Sequence, residues 1–216
     1  MIDWSAIDTV LLDMDGTLLD LHYDNYFWMT HLPARYAQLK QMPVDQAQQQ
    51  LQQQIASIEG TLQWYCLDYW SETLAVDIAA LKAEIKHKIK QRPYATEFLQ
   101  FLQAQQKYVV LITNAHPVGL ELKFTETDIR HYLDRTISLH QFQQPKENQA
   151  FWHALQKAMP FEPERSLFID DNLRVLQSGQ QYGIKHILGI HQPDSQIPRK
   201  LDQVMAIDHF NEIMKT

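Results

Sequence analysis

Val10-Leu11-Leu12-Asp13-Met14-Asp15-Gly16-Thr17 is the stretch that decides the fold. Three apolar residues run straight into a polar turn holding a glycine, which reads as a buried strand leaving the core. Four later stretches, at residues 109–112, 136–139, 166–169 and 184–188, have the same character. Helical spacing separates them, with Phe98, Leu99 and Leu102 on one face and Ala150, Phe151, Ala154, Leu155 and Ala158 on another. Gly183 suits a helix C-terminal cap. Strands alternating with helices predict an α/β fold with a parallel sheet and right-handed crossovers.

Residues 21–94 break this rhythm. They contain no clear strand, but they hold a Gln-rich stretch and the aromatic run Trp64-Tyr65-Cys66-Leu67-Asp68-Tyr69-Trp70. Gln is a good helix former, and Leu51, Ile55 and Ile58 fall at helical spacing, so the Gln-rich stretch reads as helix. The expectation is a helical domain at residues 21–94 inserted into a discontinuous core of residues 1–20 and 95–216. Cys66 is expected within an aromatic helix, as a small apolar residue.

The chain has 216 residues, 45% of them apolar, which supports one α/β domain with an insertion. A net charge of −7 argues against general attraction to nucleic acid or an anionic membrane. A single cysteine excludes an intramolecular disulfide and a multi-cysteine metal cluster. The N-terminus shows no signal peptide, and no apolar run is long enough to span a membrane. These readings predict a cytoplasmic protein; the oligomeric state is not legible. Apart from His116, the histidines are scattered and show no metal-binding spacing.

In open α/β sheets ligands bind beyond the carboxyl ends of the strands. Asp13 and Asp15 follow the first apolar run, Thr113 and Asn114 the second, and Asp170 and Asp171 the fourth. Lys146 lies between the third and fourth. Carboxylates gathered at one edge repel one another unless a divalent cation neutralises them, and Mg²⁺ takes oxygen ligands. A carboxylate can attack phosphorus. Thr113, Asn114, Lys146 and the backbone N–H groups of residues 13–16 can then hold phosphoryl oxygens. Asp15, two residues beyond Asp13, can protonate the leaving group and later activate water.

Asp13-Met14-Asp15-Gly16-Thr17-Leu18 resembles the first motif of the haloacid dehalogenase-like (HAD) hydrolases. Thr113, Lys146 and the Asp170-Asp171 pair resemble their second, third and fourth motifs, in order. The resemblance implies a Rossmann-like core with a helical C1-type cap closing over a small phosphomonoester. It implies Asp13 as nucleophile and metal ligand, and Asp15 as acid/base with its backbone carbonyl on Mg²⁺. Asp170 and Asp171 would hold the metal directly or through water; the sequence leaves open which makes the direct bond. Thr113 and Lys146 would bind the phosphoryl group. An acid at Asp15 is typical of the family's phosphatases and mutases rather than its metal-free dehalogenases.

Residues 11–20, 25–28, 64–72, 113–117 and 168–171 resemble bacterial HAD phosphatases described as GMP/IMP nucleotidases. That resemblance implies a purine nucleoside 5′-monophosphate as substrate. Trp28, Trp64, Tyr65, Tyr69 and Trp70 offer flat surfaces for a base, or a core for the cap. Asp24, Asn25 and His116 are candidate substrate contacts, and Asn25 or Asp68 could pair with base or ribose edges. The rival readings are a sugar-phosphate or phosphoglycolate phosphatase or mutase on the same core, and a receiver-like or silent phosphate-binding protein.

Overall fold

The computed structural model describes residues 2–215. Strand β1 (Thr9–Leu12) is followed by α1 (His22–Tyr26), a π-helical turn (Phe27–His31), α2 (Leu32–Lys40), α3 (Val44–Ile58), α4 (Leu62–Tyr65), α5 (Leu67–Leu74) and α6 (Ile78–Glu84). Then come α7 (Ala95–Ala104), β2 (Tyr108–Thr113), α8 (Pro117–Glu126), β3 (Arg135–Ser138), α9 (Gln149–Ala158), β4 (Ser166–Asp170), α10 (Leu173–Tyr182), β5 (His186–Ile190) and β6 (Ala206–Ile207). The six strands form one sheet in the order β3-β2-β1-β4-β5-β6, and every pair is parallel.

Both faces of the sheet are buried, as a parallel sheet requires. Val10, Leu12, Val109, Leu111, Leu167 and Ile169 pack into one core with Phe98, Leu99 and Leu102 of α7. The alternate residues Leu11, Val110, Ile112 and Phe168 pack into a second core with Phe151, Trp152 and Leu155 of α9 and Val175 and Leu176 of α10. The period-2 alternation of side chains thus sorts continuous apolar runs into two layers.

Two expectations are adjusted and one strand is added. The fifth strand begins at His186 rather than Ile184, because the helix before it ends late: Gly183 adopts φ +112°, and the Ile184 N–H returns 3.1 Å to the Gly179 carbonyl. That is the glycine cap read from the sequence, and it consumes two residues of the apolar run. The aromatic stretch is two helices, not one. Cys66 lies between α4 and α5 in extended backbone (φ −92°, ψ 110°) and is half-buried. The short edge strand β6 carries too little pattern to be read in advance.

The chain reverses direction across the sheet at β1. Strands β2 and β3 lie on one side of it, β4 to β6 on the other, so the carboxyl ends of β1 and β4 flank a topological switch point. The Asp13 N–H donates 3.0 Å to the Ile169 carbonyl, which holds those two strand ends together. Every described element from His22 through Glu84 is helical. This segment leaves and rejoins the sheet side by side: Leu19 bridges to Gln91, the Asp20 N–H donates to the Lys90 carbonyl, and the Arg92 N–H donates to the Leu18 carbonyl.

Candidate active site

Asp13 directly follows β1, Thr113 ends β2 and Asp170 ends β4, so three of the candidate residues are placed by strand register alone. Lys146 reaches in from the loop before α9. Its ammonium donates to Asp13 Oδ1 at 2.5 Å, to Asp170 Oδ2 at 2.7 Å and to the Ile112 carbonyl at 3.1 Å. Three ammonium protons meet three acceptors in a buried pocket, which fixes the lysine between the two carboxylates. The carboxylates and Lys146 all lie out of solvent.

Asp13, Asp170 and Asp171 each present a carboxylate oxygen, and these atoms lie within 4.8 Å of one another. Burial raises all three acids, Asp13 and Asp170 to about 6 and Asp171 to about 7. Lys146 opposes the rise, while neighbouring carboxylates add to it. Such crowding of anionic oxygens is what a hard divalent cation relieves, and an all-oxygen donor set fits Mg²⁺. Arg199 anchors the far side, donating to the Asp171 carbonyl at 2.7 Å and to the Ile190 carbonyl at 3.1 Å. Gly16 makes the close packing feasible. It sits at φ +89°, and a Cβ there would lie 2.8 Å from Asp171 Cγ and 2.9 Å from Pro193 Cβ.

Asp15 occupies a separate cluster. Lys123 Nζ lies 2.6 Å from Asp15 Oδ1 and 2.7 Å from Asp24 Oδ2, and Lys82 Nζ lies 2.8 Å from Asp24 Oδ1. The result is an alternating chain Asp15–Lys123–Asp24–Lys82. Burial raises Asp15 to about 6 against the pull of Lys123. Asp24 also feels burial, but Lys123 and Lys82 outweigh it and hold its carboxyl well below the usual range.

Other candidates are committed locally. Asn114 accepts from the Lys146 N–H at 3.1 Å and donates to Glu147 Oε2 at 3.1 Å, while Tyr65 donates to Glu147 Oε1 at 2.6 Å. Asn114 therefore orients the Lys146 loop. Asn25 donates to Asp194 Oδ2 at 2.7 Å. Thr113 Oγ1 accepts from the Ala115 N–H at 3.0 Å, leaving its hydroxyl proton to donate. In the turn of residues 13–16, the Asp13 and Gly16 N–H groups already serve the Ile169 and Leu19 carbonyls, which narrows the backbone donors expected there. Trp70 is fully buried and belongs to the core, whereas Trp28, Trp64 and Tyr65 line a cavity of about 620 Å³ above Asp13 and Lys146.

Sequence reasoning missed Lys123, Lys82, Glu147 and Arg199. Lys123 did leave a trace, because it falls beside Leu120 and Phe124 on the buried stripe of α8, where a solvated lysine would not sit. Glu147 and Arg199 left none, since a charged residue in a loop is ordinary.

The haloacid dehalogenase-like hydrolase family matches residues 7–183, and the chain belongs to that family. It is accordingly an enzyme, a phosphoric monoester hydrolase, which removes the receiver-like reading. The chain is 44% identical over 199 residues to the GMP/IMP nucleotidase YrfG of Escherichia coli (strain K12), covering 92% of this chain and 90% of that one. Among solved structures it resembles a HAD phosphatase from Thermococcus onnurineus, with TM-score 0.75, 17% identity and 86% of each chain covered. It also resembles the HAD-hydrolase YfnB from Bacillus subtilis, solved bound to magnesium, with TM-score 0.64 and 18% identity over 95% of this chain and 96% of that one. No helix among the described residues is long and apolar enough to cross a membrane.

Proposed function

We propose that the enzyme hydrolyses a purine nucleoside 5′-monophosphate such as GMP or IMP through a phosphoryl group carried on Asp13. The observation that carries the substrate is the 44% identity to a GMP/IMP nucleotidase over 92% of the chain. The cavity supports it: about 620 Å³ is ample for a nucleotide, and Trp28, Trp64 and Tyr65 give it aromatic walls.

The Asp13 carboxylate attacks phosphorus, and the P–O bond to the nucleoside breaks as Asp15 hands its proton to the departing 5′-oxygen. Water, deprotonated by Asp15, then attacks the aspartyl-phosphate and regenerates Asp13 with release of phosphate. A proton on Asp15 is accessible near neutrality because burial lifts its carboxyl to about 6. Lys146 and the Thr113 hydroxyl donate to phosphoryl oxygens where charge is held. Asp13, Asp170, Asp171 and the Asp15 carbonyl would hold Mg²⁺, which when bound neutralises the phosphoryl and carboxylate charges. Residues 21–94 act as a cap over the core formed by residues 1–20 and 95–216, and Asp24, Asn25 and His116 stand where that cap meets the substrate cavity.

The test is phosphate release from a panel of 5′-nucleotides and sugar phosphates, run with Mg²⁺ and with EDTA. Strong, EDTA-sensitive release from GMP and IMP is expected. Preferential release from a sugar phosphate would discard the purine assignment and retain the mechanism.

A further inference from the structure

Cys66, His116 and His140 come from three separate places in the chain and converge beside the active-site cavity, which His116 lines. Cys66 joins α4 to α5, His116 caps the start of α8, and His140 lies in the turn after β3. A donor atom from each lies within 4.8 Å of a donor atom of the other two; His116 is buried, and Cys66 and His140 are half-buried. The two imidazoles meet edge to face with centroids 4.7 Å apart. Asp68, two residues beyond Cys66, brings a carboxylate oxygen to 3.5 Å from His116 Nε2.

Neither ring is held by a short hydrogen bond. His116 Nδ1 accepts from the Val118 N–H at 3.4 Å, and His140 Nε2 faces the Tyr65 carbonyl at 3.4 Å. Such contacts are near the limit for a hydrogen bond and give little reason for a buried and a half-buried histidine to face a thiol. Burial pushes both imidazoles toward the neutral form, the form that ligates a metal.

We propose that Cys66, His116 and His140, with Asp68 available as a fourth ligand, form a second metal site for a borderline or soft divalent cation such as Zn²⁺. One sulfur, two imidazoles and one carboxylate make a four-ligand set of the kind Zn²⁺ accepts, at bonds of roughly 2.0–2.3 Å, reached by rotating the side chains inward. A thiolate and a carboxylate cancel the charge of the ion, and the thiol proton leaves to solvent on binding. The donor chemistry is distinct from the oxygen-only cluster around Asp13, so the two sites select different ions. Cys66 and Asp68 belong to the helical insertion, whereas His116 and His140 follow β2 and β3. A bound ion therefore ties the insertion to the carboxyl edge of the sheet, beside the cavity that His116 lines. It slows turnover by restraining the opening that substrate entry and product release need.

Co²⁺ is the probe for the site, added to EDTA-stripped enzyme kept in excess Mg²⁺. One equivalent is expected to give a near-ultraviolet sulfur-to-metal charge-transfer band, absent in Cys66→Ser and weakened in affinity roughly tenfold or more in His140→Ala. No such band in the wild-type enzyme, or an unchanged Co²⁺ affinity in His140→Ala, overturns the site. This readout needs no substrate, so it stands or fails independently of the purine assignment. The second arm follows Mg²⁺-supported hydrolysis of p-nitrophenyl phosphate as Zn²⁺ is added. Inhibition is expected in the wild type and largely relieved in Cys66→Ser. Equal inhibition of both proteins would place the Zn²⁺ effect at the catalytic carboxylates and overturn the restraint.

Discussion

Lys123 Nζ sits 2.6 Å from Asp15 Oδ1 and 2.7 Å from Asp24 Oδ2, buried on the inner face of α8. One lysine thereby joins an acid of the core turn to an acid at the start of the helical insertion. Replacing it as Lys123→Met leaves the half-buried Asp15 without a cation and Asp24 with Lys82 alone. Breaking a buried pair in this way costs about 3–5 kcal/mol. Denaturant unfolding should show that loss, and the surviving folded enzyme should turn over slowly because Asp15 is no longer held in place. Wild-type stability in Lys123→Met would sink the bridging role.

Asp13→Asn should abolish turnover while retaining the fold, because an amide is a poor nucleophile yet matches the carboxylate in size. Circular dichroism and phosphate release measured together test this. Asp13→Asn protein with wild-type-like turnover would remove Asp13 as the nucleophile.

Asp15→Asn should lower kcat by about 10²–10⁴-fold, the usual contribution of a general acid–base. A substrate whose leaving group departs without protonation, such as a dinitrophenyl phosphate, should recover much of the rate of the first step. Equal losses for both leaving groups would count against proton donation by Asp15.

Gly16→Ala should be destabilising. The φ of +89° alone disfavours an L side chain by roughly 1–2 kcal/mol, and the new Cβ would press on Asp171 and Pro193. Displacing Asp171 should also raise the Mg²⁺ concentration needed for half-maximal activity. A thermal scan and a Mg²⁺ titration of the variant read the two effects separately.

Metal removal should change how stability depends on pH. Without metal, burial raises Asp13, Asp15 and Asp170 to about 6 and Asp171 to about 7, all above the ordinary carboxyl value of 3.8. Folded-state values raised in this way mean that the folded protein binds more protons than the unfolded chain between about pH 4 and 7. Their contribution is complete at the acid end of that window and is lost as pH rises through 6 to 7. His116 and His140 act oppositely, since burial lowers both and costs stability as pH falls below about 6.5. With four acids against two histidines, melting temperature in EDTA should rise on going from pH 8 to pH 6. Mg²⁺ should flatten that trend by stabilising the protein most at pH 8, and identical profiles with and without Mg²⁺ would argue against metal binding by these carboxylates.

The sequence by itself determined the alternation of strands and helices, the helical insertion after the first strand, and the placement of Asp13, Thr113 and Asp170 at strand ends. Apolar runs closed by polar turns are local signals, and a parallel sheet converts them into position because its register brings every carboxyl end to one edge. The order of Asp13, Thr113, Lys146 and Asp170 along the chain was likewise legible, because motif order needs no distance. Tertiary structure alone decided which charges meet. Lys123 pairs with Asp15 across 108 residues and Lys146 with Asp13 across 133, separations over which sequence pattern carries no information. It also decided that Asn114 braces the Lys146 loop and that Trp70 fills the core while Trp64 lines the cavity. Finally, it brought a lone cysteine and two scattered histidines together beside the cavity that His116 lines. Local propensity acts over a few residues, whereas a site is made where distant segments are packed against each other, and only the fold specifies that packing.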